Sequence, residues 1–239
     1  MGKSINFDYF EDLIKISKQK QIKKFIYASS SSVYGIKNTE NVTEDMSLSP
    51  LTDYSKFKSE CEKIVLNYSD EMFVGTILRP ATVCGYSKRQ RLDVIVNILT
   101  NHAYNKNSIK IFGGNQKRPN IHIKDMSRAY IQILKSRDEL IKNQIFNVGF
   151  ENHNVDLLGE LVKSSFKNKI IIEKFSSDDN RSYHISSKKI KKQLNFEPKF
   201  KIEDAIKDLI YAFENNLLPN SMSNPIYFNI DQLKKINLK

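Results

Sequence analysis

Short apolar runs alternate with amphipathic helical stretches along almost the whole of this 239-residue chain, and that alternation most narrows what it can become. Phe25-Ile26-Tyr27-Ala28, Phe73 to Leu78, Ile109 to Phe112, Gln144 to Val148 and Ile170 to Ile172 have the length and the branched or aromatic content of buried strands. Between them lie helical patterns at 5–20, 52–68, 92–104, 125–134, 155–166, 186–193 and 202–214, while Asn120-Ile121-His122-Ile123 reads as brief and extended. Strand and helix in turn predict an α/β layered fold with a parallel sheet, because parallel neighbours need a crossover connection, usually a helix. The tail from Pro219 shows no period and is expected to be irregular.

Composition removes several alternatives. The chain is 40% apolar, enough for one core and a smaller second one. Met1 to Phe10 contains no apolar run of signal-peptide length, and no stretch approaches the roughly 20 apolar residues of a membrane span, so a cytoplasmic protein is expected. Cys61 and Cys84 lack metal-type spacing and read as reduced thiols, with no metal site expected. The net charge of +11 is mostly lysine spread along helices, as in Lys188-Lys189-Ile190-Lys191-Lys192. Such runs read as solvated faces, and no glycine/aromatic signature of nucleic-acid binding accompanies them.

Two features carry chemistry. Phe25 to Ala28 ends in Ser29-Ser30-Ser31-Ser32, placing small hydroxyls at the carboxyl end of a strand, where parallel sheets bind ligands. Twenty-four residues after Ser30, Tyr54-Ser55-Lys56-Phe57-Lys58 opens a helix with Tyr54 and Lys58 on one face. An ammonium beside a phenol favours phenolate and draws its pKa down from about 10 toward acid/base use. A Tyr-x-x-x-Lys pair alone is weak, since 11 tyrosines and many lysines produce such pairs by chance.

The ordered set is more specific than its members. The serine-tipped strand through Val33-Tyr34-Gly35, then Tyr54 to Lys58, Leu78-Arg79-Pro80-Ala81-Thr82-Val83-Cys84-Gly85, Arg118-Pro119-Asn120-Ile121-His122-Ile123-Lys124-Asp125, Phe146 to Gly149 and Leu194 to Pro198 resemble the extended short-chain dehydrogenase/reductases, the NAD-dependent epimerase/dehydratase family. The resemblance runs from Asn6 to about Phe213. It implies an incomplete Rossmann-type parallel sheet with a smaller α/β substrate-binding region: 1–150 as a partial NAD-binding domain, with 91–112 contributing to the substrate region, and 151–239 as substrate-binding. It makes Ser30 the hydroxyl that orients substrate, Tyr54 the acid/base, Lys58 the ligand of the nicotinamide ribose, and Asn6 a helix asparagine near the site. Arg79, Pro80 and Ala81 are implied along the nicotinamide. Ser31, Thr82, Arg118 and Arg181 are implied on the substrate, the two arginines on its diphosphate, although Thr82 stands where several epimerases keep asparagine. His122 is expected to be packed and hydrogen-bonded, and Asp125 to cap a helix.

The implied activity is nucleotide-sugar epimerisation with NAD rather than NADP as cofactor. A reductase or dehydratase of the same family is the nearest alternative. Dehydratases place an acidic pair after the hydroxyl residue, and here Ser31 and Ser32 stand there. A non-catalytic basic RNA-binding relative, or a pseudoenzyme fragment, is the alternative from another class. The implied partners are a nucleotide-diphosphate sugar, no membrane, and a homodimer through the helices at 52–68 and 92–104. No three of the eight glycines fall within seven residues, so the glycine-rich pyrophosphate turn of a dinucleotide fold is not found. On the order of 80–90 residues of such a fold are therefore expected to be missing, as in a fragment of a normal enzyme, with a missing N-terminal half on a separate polypeptide or a decayed gene product as alternatives; an uncovered sheet edge, an exposed apolar helix face, weak or no NAD binding and inactivity of this chain alone are expected to follow.

Overall fold

A computed structural model describes residues 3–4, 7–37, 39, 41–177, 184–229 and 231–232. They form two compact units that interleave along the chain. Unit 1 takes residues 1–81, 126–149 and 183–198; unit 2 takes 82–125, 150–182 and 199–239. The boundary expected near residue 150 is one of several crossings between the units. It passes between the units at 81/82, 125/126, 149/150, 182/183 and 198/199, a pattern that composition cannot show because no linker marks it.

Unit 1 is built on a three-stranded parallel sheet ordered β1 (Lys24–Ala28), β2 (Val74–Pro80), β6 (Gln144–Val148). Ala28 pairs with Leu78 and Arg79 with Asn147, which brings the carboxyl ends of the strands level. Helix α1 (Phe10–Gln19) and helix α2 (Asp53–Tyr68) pack together, and Ile14, Tyr27, Cys61, Val65, Phe73 and Ile77 form the core beneath them. Helix α1 buries Ile14 rather than Leu13, whose side chain is 50% exposed. Leu13 and Ile16 give α1 an exposed apolar face, with Tyr9 exposed just before it, and β1 is an edge strand of its three-stranded sheet.

Helix α2 runs over the residues expected of it because its start is chemically marked. Thr52 accepts the backbone N–H of Ser55, and the Ser55 hydroxyl accepts the N–H of Thr52 in return, a capping box that satisfies two orphan donors. Its outward residues Lys56, Glu60, Lys63 and Asn67 are polar.

Unit 2 holds two small sheets. In one, β3 (Thr82–Cys84) runs parallel to β5 (Lys117–His122), which pairs antiparallel with β7 (Glu151–Asn154). In the other, β4 (Ser108–Phe112) is parallel to β8 (Ile171–Phe175). Helices α3 (Ile95–Lys106), α6 (Val155–Ser164) and α8 (Ile202–Glu214) close a core around Leu99, Ile109, Leu158, Val162 and Ile206. Helix α3 buries Val96, Asn97, Leu99, Thr100, Asn101 and Ala103. In the described part of the tail, Tyr227 joins a cluster with Leu92, Leu209 and Phe213, and its carbonyl accepts the N–H of Leu92 at 2.9 Å. Helix α4 (Ile123–Lys135), the short α5 (Asp138–Ile141) and α7 (Lys188–Leu194) complete the set. Among the described residues no helix is long and apolar enough to cross a membrane, and no cluster of His, Cys, Asp and Glu could hold a metal ion.

Candidate active site

Strand β1 delivers the serine cluster. Its last residues pass into a 3-10 turn (Ser31–Tyr34) capped by Ser30, whose Oγ accepts the N–H of Ser32 at 3.2 Å and the hydroxyl of Ser32 at 2.9 Å. Ser30 is partly exposed, whereas Ser31 is buried at 2% exposure. The turn closes at Gly35, with φ +67, in the left-handed region.

Helix α2 begins beside this tip and presents Tyr54 in its first turn, 46% exposed. Lys58 lies half-buried one turn on. Its Nζ donates to the carbonyl oxygen of Ala28 at 2.9 Å and sits 5.6 Å from the centre of the Tyr54 ring and 4.9 Å from that of Tyr27. Burial holds the Lys58 ammonium below the ordinary lysine range, with Cys61 pulling weakly the other way. A half-desolvated cation is thus fixed near an accessible phenol, at the positive end of a helix dipole.

Arg79 lies in the interior of unit 1. Its side chain is 3% exposed and is engaged by Glu62, with Nε 3.0 Å from Oε1 and Nη2 2.7 Å from Oε2. Nη1 donates to the Tyr34 hydroxyl at 2.8 Å, and that hydroxyl donates to Asn147 Oδ1 at 2.8 Å. Burial pushes the Tyr34 hydroxyl up to about 12, with Arg79 opposing. Ala81 is buried with its N–H donating to the Val148 carbonyl at 2.8 Å, while Pro80 remains half-exposed at the strand end.

Unit 2 contains a cavity of about 510 Å³ lined by Asp93, His102, Lys110, Phe112, Arg118 and Ser177, among others. Of these only Arg118 was singled out from sequence. His102, Lys110 and Phe112 carried no motif, and their meeting depends on α3 packing over β4. Burial, and after it Lys106 and Lys110, keep His102 below its ordinary pKa, so the charge facing the cavity comes from Lys110 and Arg118 against Asp93. Thr82 lies half-buried at the start of β3 in the same unit. His122 is the packed histidine expected: 1% exposed, tilted on Phe200, its Nδ1 accepting the N–H of Lys124 at 3.0 Å, its Nε2 3.3 Å from Asp208 without hydrogen-bond alignment. Asp125 does not cap a helix. It is the third residue of α4, and its Oδ2 accepts the N–H groups of Lys199 and Phe200 at 2.8 Å each. Asn6 and Arg181 lie outside the described residues. Cys61 and Cys84 are both buried, and neither is in a disulfide.

A parallel sheet with a serine tip and a Tyr-x-x-x-Lys helix start at its carboxyl edge defines the extended short-chain dehydrogenase/reductase class. The chain belongs to the NAD dependent epimerase/dehydratase family, whose model matches residues 3–149. It is 28% identical over 206 residues to the uncharacterized UDP-glucose epimerase YtcB of Bacillus subtilis, covering 84% of this chain and 64% of that one. It is likewise 28% identical over 217 residues to a UDP-glucuronate 4-epimerase of Thermodesulfobacterium geofontis, covering 86% and 64%. The chain thus spans a little under two thirds of the length of these relatives. Among solved structures, UDP-glucuronic acid 4-epimerase from Bacillus cereus, in complex with UDP-glucuronic acid and NAD, superposes with a TM-score of 0.78 at 24% identity, covering 88% of this chain and 68% of that one. That likeness speaks to the fold.

Proposed function

We propose that this chain carries the catalytic and substrate-facing residues of an NAD-dependent UDP-sugar epimerase. The observation that supports this most is the Lys58 ammonium fixed near the exposed Tyr54 phenol at the carboxyl edge of a parallel sheet. The residues present suit the nicotinamide end of the cofactor: an exposed hydroxyl, a half-buried cation, and Pro80 and Ala81 at the end of β2. When bound, NAD accepts a hydride from the sugar carbon and returns it. Tyr54 takes the proton of the sugar hydroxyl as hydride leaves and gives it back from the same oxygen. Ser30, already accepting two hydrogen bonds from Ser32, is aligned to hold that hydroxyl. Lys58 stabilises the phenolate and offers donors to the ribose.

The cavity of unit 2 suits a nucleoside diphosphate, with Phe112 as an apolar wall for a base and Arg118 and Lys110 for the phosphates. With Ser31 and Ser32 in place of an acidic pair, epimerisation is favoured over water elimination. The family match lends the RNA-binding alternative no support.

Two measurements test this reading separately. Calorimetric titration with UDP should show binding that Arg118→Ala weakens by about tenfold or more, the loss of a charged hydrogen bond. With saturating NAD, UDP-glucose and UDP-galactose should interconvert, and Tyr54→Phe should lower kcat by about 10²-fold or more. Unchanged turnover in Tyr54→Phe sinks the assignment.

A further inference from the structure

Helix α2 has a third residue on the face that carries Tyr54 and Lys58. Glu62 follows Lys58 by four residues, as Lys58 follows Tyr54, so the three stand on successive turns of one side. The chemistry proposed above leaves Glu62 without a task. Its carboxylate is nonetheless buried and fully engaged: 3% exposed, it accepts Nε and Nη2 of Arg79 at 3.0 and 2.7 Å and the hydroxyl of Ser29.

The position of Ser29 gives this contact its meaning. Ser29 stands between Ala28, whose carbonyl oxygen holds the Lys58 ammonium, and Ser30, the hydroxyl assigned to the substrate. Arg79 extends the same link to the Tyr34 hydroxyl at 2.8 Å and the Glu44 carbonyl oxygen at 3.2 Å. One carboxylate therefore ties α2 to the tip of β1, to β2 and to the turn that follows the serines. A buried ion pair is a poor source of stability, because desolvation offsets the attraction and an apolar pair of equal volume holds a fold as well. What it supplies is direction: a planar fork meeting a planar carboxylate fixes both groups in rotation as well as distance.

We propose that Glu62 is a positioning residue that, through Ser29 and Arg79, fixes the serine strand tip against α2 and so sets the Lys58 ammonium relative to Tyr54. This rests on the reading of Tyr54 as the acid/base, and the test separates the two. Tyrosine labelled at the ring Cζ with carbon-13 reports each phenol titration by NMR in the 239-residue chain, and Tyr54→Phe identifies the Tyr54 signal without substrate or cofactor. Lys58→Met should raise the Tyr54 titration midpoint. Glu62→Met/Arg79→Met should keep a cooperative thermal transition and reproduce at least half of that rise. Ser29→Ala should shift it the same way by less, and Ser29→Thr, which keeps the hydroxyl, should restore the original midpoint. An unmoved Tyr54 midpoint in the folded double variant and in Ser29→Ala overturns the proposal. If the double variant does not fold, the contrast of Ser29→Ala with Ser29→Thr decides alone. A Tyr54 midpoint indifferent to Lys58→Met removes the acid/base reading itself, and the positioning role with it.

Discussion

A Cβ placed on Gly35 would sit 2.0 Å from the backbone oxygen of Ser49. The two segments are held together there, since the N–H of Ser49 donates to the Val33 carbonyl at 3.1 Å. Gly35 also has φ +67, which costs any residue with a side chain. Gly35→Ala should therefore destabilise the chain by about 2–4 kcal/mol, through clash and backbone strain together. Urea unfolding with an unchanged slope checks this, and a midpoint equal to that of the parent would contradict it.

The Glu62–Arg79 pair makes a prediction about stability apart from its positioning role. Glu62→Ala leaves the buried Arg79 guanidinium without the carboxylate that engages it and should cost about 3–5 kcal/mol. Replacing both residues by Met should bring stability back to within about 1–2 kcal/mol of the parent, because no charge is then stranded. The comparison needs only denaturant midpoints of the two variants.

Glu44 sets the direction of one pH effect. Burial holds its carboxyl above the usual range, while the N–H of Asn147 at 2.7 Å, Lys189 and Arg79 pull it down. A carboxyl raised on folding binds its proton more tightly folded than unfolded. Its contribution is fully present at acid pH and is lost as pH rises through the folded value. Glu44→Gln removes that titration while keeping an acceptor for Asn147. Relative to the parent, its melting temperature should climb between acid and neutral pH; a constant difference across that range would refute the assignment.

Both thiols should be silent in the native protein. Burial, with Glu151 adding to it, pushes the Cys84 thiol up to about 12, and burial also raises Cys61. At neutral pH neither presents a thiolate, the reactive form. Ellman's reagent should label neither in buffer and both in concentrated urea. Labelling of either within seconds under native conditions would show that the core opens there.

Much of unit 1 was legible in the sequence. Helix α2 appears over the expected residues because Thr52 and Ser55 mark its start and the apolar spacing of Cys61 and Val65 marks its inner face. The serine tip of β1 and the one-turn spacing of Tyr54 and Lys58 were readable for the same reason: both are matters of local order. The partner of Arg79 was not legible, because an arginine before a proline at a strand end gives no sign of it. Glu62 lies 17 residues earlier, in another element, and only the packing of α2 on β2 brings it within 2.7 Å. Asp125 was misread, since the backbone groups it receives belong to Lys199 and Phe200, more than seventy residues away.

The chain's own order of residues determined the alternation of strand and helix, the capped start of α2, and which hydroxyls and cations stand one turn apart. These follow from hydrogen bonds and side-chain periods that span four residues or fewer. Tertiary structure decided which polar groups are spent in the interior, how the chain divides between its two units, and that His102, Lys110, Phe112 and Arg118 line one cavity. Those outcomes depend on meetings between residues far apart in sequence. A buried charge takes whatever partner the packing brings to it.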